Sequence, residues 1–394
     1  MNDWKKIDYN KLKKDGLILI EEAQQTDNID KYYEAIDNFV EAHHDGHMSL
    51  SFYNDSDYYL NKISEFNDYG LSSIRLEDGS IIAINVEDNL DIINGDRIIK
   101  WDGVDINKVI DSVKLPIGES LIENEERMKE FFGSSIGGNS VEVTYIDSDN
   151  TEKIITLKKL KSKVPRAIKS FNIFNHSNDE TEYDYKMLND EIGYLRIGVE
   201  EIDTISDSIG YFTGNHKVAR EKYRKSLREL RKNGMKKLVI DIRNNKGGSD
   251  EVAMALASLF TKEKIYGYSL GYRSNNKNIS LVDHYVLPDG EFSDIKVIVL
   301  TNMRCGSAGD GMVLYLSRID GITIAGLSNP GGIDQETGGF VFMPEGVVVS
   351  YPVGLVLDEN NNPNIDVDDT RESRNPVDIK IPLDKNAALR IFDG

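Results

Sequence analysis

Hydrophobic positions along the chain change their spacing twice. In the first sixty residues they recur at helical intervals, and YYEAIDNFVEAHH sets Tyr33, Ile36, Phe39 and Val40 on one helix face. The spacing then shortens to alternation in DGHMSLSF, where Met48, Leu50 and Phe52 share one side of a predicted strand. Over residues 61–165 short alternating runs are divided by turn residues. SSIRLEDGSIIAINV reads as a hairpin about Asp78 and Gly79, NGDRIIKWDGVDI as a strand and turn, and NSVEVTYIDSDNTEKIITLKKL as a further pair. IENEERMKEFF is the one clear helix among them.

From about residue 180 apolar runs of strand length alternate with helical patterns. IGYLRIGV, KKLVIDIR, IKVIVLTN and GITIAGL read as strands, the second and third as fully buried ones. NHKVAREKYRKSLRELRKNG, SDEVAMALASLF and SAGDGMVLYLSRI read as the helices between them, the second opened by a Ser or Asp cap. Strand followed by helix, repeated, predicts an α/β fold with a parallel layer over 180–394. A β-rich module at 61–165 and a helical segment at 1–60 precede it.

Composition narrows the function. Among 394 residues, no apolar stretch approaches the roughly 18 residues of a membrane span. A net charge of −20, thinly spread, argues against nucleic acid, which needs clustered Lys and Arg. Cys305 is the single cysteine, so no internal disulfide forms. His43, His44 and His47 cluster without a Cys pair or an HExxH helix, so neither metal nor other cofactor is expected. The opening MNDWKKIDYNKLKKDG lacks the apolar core of a secretory signal, which fits a cytoplasmic chain or one whose leader has been removed.

Ligands of a parallel layer sit at the carboxyl ends of its strands, and two motifs lie there. In VIDIRNNKGGSDE, Gly247 and Gly248 stand where strand turns to helix. Lacking Cβ atoms, they make either a tight turn or a site presenting amide N–H groups to a developing oxyanion. In NMRCGSAGDG, Ser307 stands at the next such turn, either as a helix cap or as a nucleophile near the positive helix end. The run is not G-x-S-x-G, because Cys305 takes the first glycine position. Together, the two turns would let Ser307 face the amides of Ala308 and of Gly247 or Gly248.

GYLRIGVEE, LVIDIRNNKGGS, VIVLTNMRCGSAGD, TIAGLSNPGGI and NPNIDV occur in the order found in carboxy-terminal processing peptidases and tricorn core proteases, which residues 185–385 resemble. NGDRIIKWDGVDI resembles the characteristic run of a PDZ domain, and DGHMSL resembles an element near the start of tricorn-like members. The resemblance implies a serine endopeptidase acting on protein or peptide, with a crotonase/ClpP-like core, a PDZ-like domain and an extracytoplasmic setting. It maps the nucleophile onto Ser307 and the oxyanion donors onto Ala308 and the Gly247–Gly248 turn.

A serine hydroxyl needs a base. One branch of the family carries a lysine about 25 residues beyond the serine; here Gly332 stands there, and no lysine occurs between Lys296 and Lys380. The tricorn-like branch uses histidine, which the resemblance maps onto His47, with His44 in reserve. His176, His216 and His284 read as plain surface residues in polar contexts. A carboxylate orients such a histidine. Asp358, then Glu359, precede PNI where relatives carry a Glu before PDI, and Asp45 adjoins His47. Gly46 departs from the tricorn pattern, which has serine there. Two rival readings stay open: an inactive peptide- or ligand-binding protein on the same fold, and an acyl-CoA enzyme with the same kind of oxyanion hole.

Overall fold

The computed structural model describes residues 7–53, 56–115, 118–162, 164–175, 182–200, 217–275, 277–335 and 338–393. Where the sequence divides at 1–60, 61–165 and 180–394, chain contacts make two compact units. One is Met1–Tyr53 with Glu180–Ile381, the other Asn54–Asp179 with Pro382–Gly394. The helical segment thus belongs with the α/β part, and the last thirteen residues with the β-rich part.

A six-stranded sheet organises the first unit. From one edge its strands are Ile379–Lys380, Ile322–Gly326, Lys296–Thr301, Lys237–Asp241, Ile192–Ile197 and Tyr183–Met187. All neighbours are parallel except the last pair, which is antiparallel. Strand order follows chain order, so right-handed crossovers all step the same way and set their helices on one face. Those helices are Lys217–Lys232, Asp250–Ser258 and Ala308–Ser317. Ala253, Ala255 and Ala257 of the second helix are fully buried in the core, where small side chains let it approach its neighbours. One-sided coverage also corrects the expectation of strands buried on both faces. Lys296–Thr301 alternates instead, and Ile298 is 44% exposed.

Two smaller antiparallel sheets complete the unit. The long hairpin Ile265–Ser274 and Lys277–Val286 carries Leu355–Leu357 on its first strand. The predicted strand in DGHMSLSF forms at Ser49–Phe52 and pairs with Val347–Tyr351, which pairs in turn with Gly339–Phe342. Leu50 faces Val349, and both are buried. Ahead of it lie the helices Tyr9–Thr26 and Ile29–Glu41. Asn28 caps the second by accepting from the Asp30 N–H. Ala35, Ile36 and Val40 form its buried stripe, while Phe39 turns its ring to Tyr9 and His43 and stays 40% exposed.

The second unit is a six-stranded antiparallel sheet, Ser72–Arg75, Ile81–Ile84, Arg97–Trp101, Ser140–Ile146 and Glu152–Lys158 in order, with Val104–Asp105 beside the third. Its helix Ile122–Phe132 matches the predicted one. Trp101 is buried in the core, its indole N–H donating to the Ile136 carbonyl at 2.6 Å.

Candidate active site

The strand Lys296–Thr301 ends in a turn whose residue Ser307 has φ 54° and ψ −131°, a conformation rarely adopted outside glycine. Ser307 occupies the cap position of the helix Ala308–Ser317, yet its side chain makes no capping bond. The hydroxyl instead lies 3.0 Å from His47 Nε2. The neighbouring thiol of Cys305 is fully buried, and that burial pushes it well above its ordinary value. It has no surface from which to react.

The second turn approaches the first. Gly247 (φ 95°) and Gly248 (φ 149°) follow the strand Lys237–Asp241, and both values favour glycine. A Cβ on Gly247 would lie 2.7 Å from Ser307 Cβ and 3.0 Å from the Ala308 nitrogen. A Cβ on Gly248 would lie 2.5 Å from the Glu200 carbonyl oxygen. The Gly247 N–H donates to Asn245 Oδ1 at 2.8 Å. The N–H groups of Gly248 and Ala308 meet no acceptor among the described residues. Of the two glycines, Gly247 thus has its amide engaged by Asn245, while Gly248 lines the same pocket as Ala308.

Asn245 ties the turns together. Its main-chain carbonyl accepts from the Gly306 N–H at 3.0 Å, while its Nδ2 donates to Glu200 Oε1 at 2.6 Å. Glu200 has no exposed surface, and its Oε2 meets no partner among the described residues. Burial pushes its carboxyl up to about 8, against the pull of the Asn245 bond. Neutral Glu200 keeps the Asn245 amide aimed without putting a negative charge behind the turn.

His47 reaches Ser307 from the segment before the strand Ser49–Phe52. Its Nδ1 bonds the Gln335 carbonyl. A carbonyl can only accept, so the proton sits on Nδ1 and Nε2 offers a lone pair to the Ser307 hydroxyl. The loop is held from several directions. Asp45 Oδ1 accepts from the His47 N–H at 3.0 Å, and Asp45 Oδ2 accepts from Gln335 Nε2 at 2.8 Å. Ser350 Oγ donates to the His47 carbonyl at 3.1 Å. The Gly46 N–H donates to Asp334 Oδ1 at 3.0 Å, and a Cβ on Gly46 would lie 2.5 Å from Asp334 Oδ2. A side chain at Gly46 would have to push the Asp334 carboxylate aside.

Asp358 and Glu359 are not brought to this ring. Asp358 closes its own turn, Oδ1 accepting from the Asn360 and Asn362 N–H groups at 2.8 Å each. Glu359 is exposed at the same turn. Asp45 steadies the loop backbone and Gln335, while the atom that meets Nδ1 is a main-chain oxygen. His44 lines a separate groove with His43, Lys11 and Arg371. His284 is a buried strand residue stacked on Tyr268, with ring centroids 4.6 Å apart, because its strand turns it onto the core helices. His176 and His216 lie outside the described residues.

Two further acids hold the segment before Gln335. Asp310 Oδ2 accepts from the Gly332 N–H at 3.0 Å and Oδ1 from Asn375 Nδ2 at 2.6 Å. Asp366 accepts from the N–H groups of Ile333 and Arg374. Burial pushes the Asp310 carboxyl well up and that of Asp366 to about 7. Asp45, His47 and Asp334 bring ligand-type atoms within 4.8 Å of one another, the one such group among the described residues. Both Asp45 oxygens and both His47 ring nitrogens already have protein partners, so a cation there would have to displace them.

Among these residues, Asn245, Glu200 and Gln335 escaped the reading of the sequence. Asn245 lies inside VIDIRNNKGGSDE beside the glycines, and Glu200 inside GYLRIGVEE. Gln335 acts through its backbone and carries no letter for that task.

Residues 191–370 match the family model described as Peptidase family S41. Among solved structures, mature CPAF complexed with lactacystin is 14% identical, with a TM-score of 0.57 over 92% of this chain and 87% of that one. Mature CPAF is 13% identical, with a TM-score of 0.58 over 92% and 86%. Likeness at this identity is one of fold. The photosystem II D1 C-terminal processing protease is also similar, at 14% identity over 92% and 86%, with a TM-score of 0.38. No curated protein matches significantly.

Proposed function

We propose that this chain, whose residues 191–370 match the model of Peptidase family S41, is a serine-type peptidase that cleaves internal peptide bonds through an acyl-enzyme on Ser307 with His47 as base. The observation carrying the reading is the 3.0 Å contact of His47 Nε2 with Ser307 Oγ, beside two amides without acceptors. His47 takes the hydroxyl proton as Oγ bonds the substrate carbonyl carbon. The carbonyl electron pair moves onto oxygen, where the N–H groups of Ala308 and Gly248 meet it. Each such donor is worth about 10²–10³ in rate. When the carbonyl reforms, the C–N bond breaks and the leaving amine takes the proton from Nε2. Water, deprotonated by the same nitrogen, then attacks the ester and returns Ser307.

The Gln335 carbonyl supports the Nδ1 proton throughout, in the role expected of Asp358 or Glu359 from the family resemblance. A dipole stabilises the imidazolium less than a carboxylate would. Asp45 and Asp334 supply negative charge nearby, and each is bonded to the same loop.

The core is read as crotonase/ClpP-like and the second unit as PDZ-like. The run NGDRIIKWDGVDI supports the latter, supplying the adjoining strands Arg97–Trp101 and Val104–Asp105. A protein or peptide is the substrate. The extracytoplasmic setting rests on the family resemblance. No helix of the described residues is long and apolar enough to cross a membrane.

A fluorophosphonate probe tests the reading against that of an inactive binding protein. Wild type should be labelled and should digest casein. Ser307→Ala should lose labelling, and both Ser307→Ala and His47→Ala should lose at least about 10³ in kcat while staying folded by circular dichroism. An unlabelled wild type that leaves casein intact would overturn the proposal, and wild-type turnover in His47→Ala would remove the histidine from it.

A further inference from the structure

The pocket beside Ser307 holds a group that peptide hydrolysis leaves without a task. This small space, about 100 Å³, has apolar walls from Leu314, Ile333 and Val356. Asp250, two residues beyond Gly248, also lines it and keeps part of its surface accessible. Two tyrosines aim its carboxyl. Tyr315 donates to Oδ1 at 2.9 Å and Tyr268 to Oδ2 at 3.3 Å. Each oxygen can accept more than one hydrogen bond, so both retain capacity toward the pocket.

A carboxyl in such a place is costly to ionise, since burial disfavours charge that no cation meets. Burial indeed pushes the Asp250 carboxyl up, while the Tyr315 hydroxyl, His284, the Tyr268 hydroxyl and His47 draw it back. Among the described residues, no Lys or Arg lines the pocket. Apart from the two histidines, no cation of the described residues meets this carboxyl, and the open pocket is the route by which one can arrive. A long side chain, apolar along its stem and cationic at its tip, matches apolar walls that meet a carboxyl. Lysine has that shape, whereas the wider planar fork of arginine needs more room. An acidic side chain would be repelled.

We propose that this pocket receives the side chain of the residue whose carbonyl Ser307 attacks, and that Asp250 selects lysine there. The proposal rests on the peptidase reading and deepens it. Asp250 was visible in the sequence only as a helix-opening residue, and its neighbours Tyr268 and Tyr315 come from elements 18 and 65 positions away.

Two peptides that differ only in lysine or norleucine before the scissile bond provide the test. With the whole chain, kcat/KM should favour lysine by about tenfold or more, and Asp250→Asn should bring the ratio close to one. n-Butylammonium probes the pocket without any bond being cleaved. It should bind wild type and Ser307→Ala alike, and Asp250→Asn about tenfold more weakly or worse. Preference for norleucine in wild type, or a lysine preference that survives Asp250→Asn, overturns the assignment. If neither peptide is cleaved and Ser307 takes no fluorophosphonate, the peptidase reading fails. Butylammonium then decides alone: weaker binding to Asp250→Asn keeps the cation pocket, and equal binding ends it. Should Asp250→Asn not fold, the wild-type lysine-to-norleucine ratio decides, together with inhibition by n-butylammonium but not by n-butanol.

Discussion

The hydroxyl half of the site and the imidazole half are built on different footings. Ser307 and the glycine turn stand at the ends of adjacent parallel strands, backed by helices whose apolar residues are buried in the main core. Their geometry is set by backbone dihedrals and by contacts too close for a Cβ. The imidazole hangs from a loop beside a three-stranded sheet whose edge strand leaves Phe340 and Phe342 63% and 72% exposed. A handful of hydrogen bonds, to Asp45, Gln335, Asp334 and Ser350, hold that loop. The first half can be disturbed only by disturbing the core. The second can be loosened alone, which makes it the adjustable part of the site.

Three substitutions sharpen that contrast. The largest effect belongs to Gly247→Ala, which demands both a positive φ and a Cβ inside the Ser307 turn. A fall in kcat of about 10² or more is expected, accompanied by a lower melting temperature. Near-normal turnover in this variant would mean that the two turns are not rigidly joined.

Ser350→Ala should do less. It removes the bond to the His47 carbonyl, the bond from the Ser49 N–H at 3.0 Å and the hydroxyl contact with Ser49 Oγ at 2.8 Å. A loss of roughly three- to tenfold in kcat with little change in KM or melting temperature is expected, since hydrogen bonds of this kind are worth about 1 kcal/mol. A fall in stability as large as that of Gly247→Ala would erase the distinction between the halves.

The smallest effect on turnover is expected from Glu200→Gln, whose signature is a pH dependence. The folded carboxyl holds its proton to about 8, whereas the ordinary value is 4.5. Between those values the folded chain keeps a proton that the unfolded chain releases, so this group makes stability fall as pH rises. Glutamine imitates the protonated acid and removes that slope. The denaturation midpoint of Glu200→Gln should therefore gain on wild type from pH about 5 to 8 and run parallel to it above. Parallel midpoints throughout would show that Glu200 is ionised in the folded protein.

The same contrast governs what could be read from residue order. Ser307, Gly247, Gly248 and Ala308 announce themselves because an apolar strand run followed by small residues is a local signal. The predicted strands and helices around them form close to where their spacing puts them. The long hairpin Ile265–Val286 and the strands between residues 339 and 357 went unread, since their alternation is broken by bulges and by exposed aromatic positions. Asp358 attracted attention as an acid near a family motif, yet its carboxylate is spent on its own turn. The partner of His47 Nδ1 is a backbone oxygen, and every residue has one.

Spacing and composition by themselves determined the α/β alternation, the glycine-rich strand ends and the lack of any lysine between Lys296 and Lys380, because each is read directly along the chain. Only the tertiary structure decided that the imidazole meets a hydroxyl 260 positions away, which glycine amide is left free, and that Asp250 looks into the pocket between two tyrosines. Those choices turn on which acceptor reaches a given N–H first, and that competition is settled by packing across distant segments.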